Sequence, residues 1–315
     1  MGSILRKFAI SALLLGAVTA CSPPQPAPSP TSHPALVSVK SRDAIAGVWN
    51  ATADHLVQVA VAHGTLKATA TYPVTDYNAD LDNATRFHVT QGGQVVVDKL
   101  IDNMPMDLRI ITAEDGRTLV LLDTYSGGAH CCYGTALTDP NDASGPSFTY
   151  HDWGDVGYNL VKSADQSGYV FESADAAAAY AFSSFAGSTF PIQILSYREG
   201  KLVDVTNEYP ATLEKDAAQH WREYLTDASS NATPESALVS YLADEYRLGR
   251  SKTAWDRVHA AYGSNQDFDT KAVSWLQSNG YGSTAVAPAA TPSAGSGANS
   301  NAPSSPAPPS TVTKP

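Results

Sequence analysis

Short runs of alternating apolar and polar residues fill the chain from about Ala46 to Asn207, and glycine-bearing turns separate them. Alternation with period two places apolar side chains on one face of a strand. His55 to Ala62 and Thr65 to Tyr72 flank His63-Gly64, a hairpin signal. Arg86 to Thr90 and Gln94 to Leu100 flank Gly92-Gly93, and Leu108 to Thr112 and Thr118 to Tyr125 flank Glu114-Asp115-Gly116. Further strands fit Ser147 to His151, Tyr169 to Glu172, Ile192 to Tyr197 and Leu202 to Val205, the last two around Glu199-Gly200. Strands of this length and spacing predict an antiparallel all-β module, a sandwich or a propeller-like array.

After Pro210 the apolar spacing lengthens to three and four. Leu213, Ala217, Trp221 and Leu225 fall on one helical face. Thr233-Pro234 reads as an N-cap followed by proline at the first helical position, with Leu238, Tyr241, Leu242 and Tyr246 behind it and Gly249 as the stop. Trp255, Val258 and Tyr262 precede Gly263, and Phe268, Ala272, Trp275 and Leu276 precede Asn279-Gly280. About four helices follow, with Trp and Tyr stripes that serve a core. The expected fold class is α+β: the β module over 36–208, then a small C-terminal helical bundle over 209–282.

Both ends depart from this pattern. Ser22 to Pro34 carries six prolines and makes a semi-extended spacer of about 40 Å. From Ala285 onward Lys314 is the single charged side chain among Pro, Ser, Ala, Thr, Gly and Asn, a composition that predicts a disordered tail over 283–315. At the start, Arg6 and Lys7 precede an apolar run from Phe8 to Val18, the layout of a secretory signal over 1–20. Val18-Thr19-Ala20-Cys21 resembles the lipobox of bacterial lipoproteins. That resemblance implies cleavage before Cys21, acylation of its thiol, and a lipid anchor followed by the 21–35 linker. It further implies transfer to the outer membrane in a Gram-negative source, because Ser22 rather than Asp follows the lipidated Cys. No later apolar stretch reaches the length of a membrane span.

The net charge is −11, with Asp and Glu spread along the chain. A nucleic-acid surface needs clustered Lys and Arg, so no nucleic-acid partner is expected. An acidic, solvated surface suits an envelope protein.

A weak internal repeat lies within the β region. Ile111-x3-Asp115-Gly116 precedes the strand around Val120, and about 50 residues later Val161-x3-Asp165-x2-Gly168 precedes the strand around Val170. Ser126-Gly127-Gly128-Ala129-His130-Cys131-Cys132, then Asp175 ahead of Tyr180-Ala181-Phe182, then Asp204-Val205-Thr206-x2-Tyr209-Pro210 complete the pattern. From about Leu108 to Pro210 the chain resembles the degenerate FG-GAP or VCBS propeller-type modules of bacterial secreted proteins. In that class a loop of alternating Asp with Gly binds calcium. Asp165 to Glu172 keeps one Asp, the Gly and the Glu but lacks two further Asp, and calcium needs several oxygen ligands at once. No cofactor is assigned.

His130-Cys131-Cys132 is the unusual local feature. With Cys21 consumed by lipid, two adjacent thiols remain in an oxidising envelope. A vicinal disulfide, an inert structural pair and a redox or metal site all stay open. A metal reading lacks the CxxC or HxxxH spacing that would supply the remaining ligands. Gly127-Gly128 permits a sharp turn, and with His130 it forms a candidate ligand loop. His151-Asp152 and Asp155 beside Trp153 are polar groups of the kind that serve general base chemistry. No G-x-S-x-G elbow, phosphate loop, dinucleotide fingerprint or H-E-x-x-H accompanies them, so no catalytic residue is assigned. The expectation is a lipid-anchored envelope protein that binds or scaffolds an envelope protein or glycan. The alternatives are an envelope hydrolase around His130, His151 and Asp155, and a thiol redox or metal sensor at Cys131-Cys132.

Overall fold

The computed structural model describes residues 44–51, 56–73, 84–128, 131–142, 144–230 and 234–282. The signal segment, Cys21, the Pro-rich linker, His130 and the C-terminal tail lie outside the described residues. Three antiparallel sheets, none closed on itself, are followed by four helices. This is the expected α+β class.

The first sheet runs in order through β2 (Val48–Ala51), β3 (Leu56–His63), β4 (Leu66–Pro73), β5 (Thr85–Gln91) and β6 (Gln94–Ile101). The second holds β1 (Ile45–Ala46), β7 (Met104–Thr112), β8 (Thr118–Gly128), β9 (Cys131–Thr138) and β10 (Thr149–Gly154). The third holds β11 (Asn159–Lys162), β12 (Tyr169–Ala174), β13 (Ile192–Arg198) and β14 (Lys201–Asp204). Every pairing is antiparallel, and His63-Gly64, Gly92-Gly93 and Glu199-Gly200 fall at hairpin turns.

The second sheet is central because its two faces meet different partners. Leu108, Ile110, Val120, Leu122 and Ala136 pack with Val59, Ala70, Phe87 and Val89 of the first sheet. Ile111, Leu119, Leu121 and Leu137 pack with Tyr169, Phe171, Leu195 and Tyr197 of the third. The odd and even residues of β8 therefore serve different cores, as the pleat requires. Where the chain passes from β1 to β2, a Cβ on Gly47 would lie 2.9 Å from the Leu108 carbonyl and 2.5 Å from Val59. Only glycine permits that crossing.

The two copies of the repeat meet in space. The β7–β8 turn abuts the β11–β12 turn, so that Ala113 bridges Tyr169 and Ser167 Oγ donates to the Glu114 carbonyl at 2.8 Å. The Glu114 carboxylate then accepts from Ser196 Oγ at 2.6 Å and Arg198 Nη2 at 3.0 Å on β13.

Buried polar groups also lock the strands of the central sheet together, with Tyr158 reaching in from the link between β10 and β11. Asp123 on β8 accepts from Arg109 Nη2, from Thr135 Oγ1 at 2.7 Å and from the Tyr158 hydroxyl at 2.8 Å. Trp153 Nε1 completes the set by donating to Thr135 Oγ1 at 2.8 Å. Burial opposes the Arg109 charge, but Tyr158, Asp123 and Asp107 outweigh it and raise its pKa. Burial and the Asp123 charge hold the Tyr158 phenol well above its ordinary value, so it remains a donor.

The helices are α1 (Pro210–Ser230), α2 (Glu235–Arg247), α3 (Ser251–Tyr262) and α4 (Gln266–Ser278). Their shared core contains Ala217, Trp221, Leu238, Leu242, Val258, Phe268, Ala272 and Leu276. Phe182, from the segment between β12 and β13, inserts into it. One expected stripe residue is corrected: Leu225 is 53% exposed, and Tyr224 turns inward instead. Its helix rotates slightly past the expected face because Tyr224 meets Trp221 and Tyr262. Pro234 occupies the cap position rather than the first helical one, with α2 starting at Glu235.

Replacing Asp123 with Ala leaves buried Arg109 with the partly exposed Asp107 as its remaining counter-charge. The expected loss is about 3–5 kcal/mol of unfolding free energy. Chemical denaturation monitored by tryptophan fluorescence checks it, and a loss under about 1 kcal/mol, typical of exposed pairs, would contradict the buried network.

Candidate functional site

The predicted ligand loop sits at the tip of the β8–β9 hairpin. Gly127 has φ of 83°, a conformation that favours glycine, and Gly128 pairs with Cys131 across the turn. The register slips between Tyr125 and Gly128, so Ser126 and Gly127 together oppose Cys132. Ser126 Oγ accepts from the Cys132 amide at 2.7 Å. Cys132 is disulfide-bonded. Gly127, Gly128 and Cys132 are thus gathered at one hairpin tip.

His151 lies elsewhere on the central sheet, on β10. Its ring meets Trp153 edge-on, with centroids 4.2 Å apart. Burial lowers its pKa to about 4, with Asp152 opposing. A neutral imidazole of that basicity is a poor general base near pH 7. Asp152 is committed to its own turn through the Gly154 amide at 2.8 Å, and Asp155 occupies the turn after β10. Asp165, the retained acid of the calcium-loop resemblance, is likewise used locally. It accepts from Ser167 Oγ at 2.6 Å, the Ser167 amide at 2.9 Å and Ser163 Oγ at 2.7 Å, which lowers its pKa to about 2.

A different cluster stands out in the helical unit. Asp216 and His220 lie one turn apart on α1, and Asp244 reaches them from α2. One ligand atom from each lies within 4.8 Å of the other two. His220 Nε2 is 3.2 Å from Asp216 Oδ2 and 3.8 Å from Asp244 Oδ2. His220 Nδ1 faces Glu223 Oε2 at 3.0 Å. Asp216 Oδ2 also accepts the Ile192 amide at 2.9 Å, which ties α1 to the start of β13. Asp244 is fully buried; as an ionised carboxylate neither of its oxygens meets a hydrogen-bond donor, and when protonated it can donate to Asp216. Burial pushes its pKa well above the ordinary range, with His220 and Arg247 opposing and Asp216 adding to the rise. For His220, burial lowers the pKa, but the Asp216 and Glu223 hydrogen bonds and the Asp244 charge carry it up to about 10.

The sequence reading passed over this cluster. The Leu213, Ala217, Trp221 stripe drew attention to the apolar face of α1, and Asp216 and His220 lie beside it. Asp216-x3-His220 was the available signal, since that spacing puts both groups on one helical face. Nothing local marks Asp244, which stands in an ordinary Ala-Asp-Glu stretch.

One comparison, with a family model, falls on this same unit. Residues 213–286 match the family model described as the sll0997 C-terminal domain. The "Probable thylakoid lumen protein sll0997" of Synechocystis sp. (strain ATCC 27184 / PCC 6803 / Kazusa) is 28% identical over 173 residues. The match covers 52% of this chain and 51% of that protein, so the chain spans about half the length of the relative. No solved structure matches. No helix among the described residues is long and apolar enough to cross a membrane.

His151 generates a pH dependence. Its folded value is about 4 against an ordinary 6.5, so between those values the unfolded chain holds a proton that the folded chain refuses. Its contribution is complete above pH 6.5 and falls as pH drops toward 4. Allowing for partial solvent access, the expected loss is about 1–2 kcal/mol. His151→Phe should flatten that part of the stability profile, measured by urea unfolding across the range. An unchanged slope would contradict the assignment.

Proposed function

We propose that the chain is an extracytoplasmic, lipid-tethered protein that binds a partner protein and performs no catalysis. The observation that carries the binding role is a set of exposed apolar side chains at the ends of the central sheet near the β8–β9 hairpin. Met104, Met106, Phe148 and Tyr150 are 38%, 43%, 37% and 39% exposed. Asn103 Nδ2 donates to the Tyr150 hydroxyl at 2.7 Å, while the register sets Met104, opposite Tyr125, on the other face of the sheet from Tyr150, opposite Ala136. Met104 lies 3.8 Å from where a Cβ on Gly127 would stand. Met106 is the extra residue of a bulge between Pro105 and Asp107, and bulges commonly re-aim side chains at binding sites. Methionine and aromatic side chains are enriched at protein interfaces.

Three observations support the compartment. The start of the chain has the secretory and lipobox pattern ending in Cys21. The cyanobacterial relative is named as a thylakoid lumen protein. Cys132 is oxidised, as thiols outside the reducing cytosol tend to be. With the Cys21 sulfur acylated, Cys131 is the cysteine left to pair with Cys132, and that vicinal disulfide would hold the bulged hairpin tip beside Met104. Ser22 favours the outer membrane if the source has two membranes. A hydrolase around His130, His151 and Asp155 is the poorer fit, because His151 is too weak a base.

The test uses the full chain in intact cells with a photo-cross-linking residue in place of Phe148. A discrete protein adduct is expected, reduced at least about tenfold by Met104→Asp with Met106→Asp. Cys21→Ser should move the protein from the membrane to the soluble fraction. Equal cross-linking from position 252 on α3, adducts to glycan alone, or no adduct would overturn the proposed partner. Retention of the Cys21→Ser protein in membranes would overturn the lipid tether.

A further inference from the structure

We propose that Asp216, His220 and Asp244 form a binding site for one divalent transition-metal ion, with zinc the best chemical match. Asp244 is a carboxyl group with no exposure whose polar neighbours include Asp216 and His220, and ionising it there is costly unless a cation compensates it. Its carboxylate faces the other two candidate ligands, 3.8 Å from His220 Nε2. A metal ion at their centre supplies that cation.

The geometry suits such an ion. Zinc takes His nitrogen and Asp oxygen at about 2.0–2.2 Å, so neighbouring ligands in a tetrahedral shell stand about 3.4 Å apart. The separations of 3.2 and 3.8 Å about His220 Nε2 bracket that value. The outer contacts match as well. A metal-bound histidine commonly donates its second ring N–H to a carboxylate, which fixes the tautomer and aims the other nitrogen at the metal. Glu223 stands at His220 Nδ1 for that purpose, at 3.0 Å. The Ile192 amide orients Asp216 from the sheet side. Charge adds to the case: Asp216 and Glu223 flank one buried imidazole and the Asp244 carboxyl faces it, so a divalent cation would stabilise Asp244 in its ionised form.

Three protein ligands leave a fourth position for water or a small ligand, the layout of an open zinc site. Asp216 is the most exposed of the three, with 23% of its side chain accessible, so the ion enters from its side. Binding would tie α1 to α2, and through Ile192 to the third sheet.

The test uses the full chain in detergent, stripped with chelator and titrated with zinc chloride, with bound metal counted by elemental analysis. One zinc per chain is expected. Cobalt substitution should give the visible bands of a four-coordinate nitrogen and oxygen shell. His220→Gln and Asp244→Asn should each weaken uptake at least about 100-fold, and Glu223→Gln about 10- to 100-fold. His259→Gln, on α3 and paired with Asp269, should leave uptake unchanged. Absence of zinc uptake by the unmodified chain would overturn the site. So would stoichiometric uptake by His220→Gln, or a six-coordinate cobalt spectrum. The cobalt spectrum of the unmodified chain decides the matter even where a variant fails to fold.

Discussion

The central sheet is buried on both faces, and that constraint shapes most of what surrounds it. A sheet covered on one side can alternate apolar with polar residues. One covered on both must be apolar in every register or must pair its polar groups internally. Strand β8 does both. Leu119, Val120, Leu121 and Leu122 are all fully buried in succession. The one charge that follows, Asp123, is met by Arg109, Tyr158 and Thr135. The Arg109–Asp123 pair is made within the central sheet, and Tyr158, from the link between β10 and β11, closes it. The adjoining turns at Ala113 and Gly168 set the alignment of the central and third sheets, since a Cβ at Gly168 would fall 2.0 Å from the Ala113 carbonyl oxygen.

This scaffold explains where the sites lie. Met104 and Met106 are exposed at the start of β7, where a bulge between Pro105 and Asp107 interrupts the pairing with β8. The acidic cluster forms at the boundary where α1 and α2 meet the third sheet around Ile192. Arg247 on α2 reinforces that boundary by binding Asp204 at 2.9 Å and lying over the Tyr281 ring at 5.0 Å. Tyr281 donates to Asp175 at 2.8 Å, closing the contact from the C-terminal side.

Much of the architecture was readable in the sequence, for identifiable reasons. Strands β3 to β8 alternate or carry β-branched runs, and Gly64, Gly92 and Gly116 sit at positive φ where the turns require it. The helical stripes were readable because Trp221, Leu242, Val258 and Leu276 recur at helical spacing. Strand β9 was not. Its Cys131-Cys132-Tyr133-Gly134 start shows no clear alternation, and Gly134 is there because the Tyr150 hydroxyl occupies the space of its side chain. Strands β1, β2 and β11 were too short to show a period. The ligand loop was legible through Gly127-Gly128. The Asp216, His220, Asp244 cluster was not, because Asp244 joins it only through the packing of α2 on α1.

Native-state hydrogen exchange resolved by residue tests the central claim most directly. Amides of Leu119 to Leu122 on β8 should exchange only through global unfolding, with the largest protection in the chain, because both faces of the strand are sealed. Faster exchange there than along β4 of the first sheet or α2 of the helical unit would contradict a stack built around the central sheet.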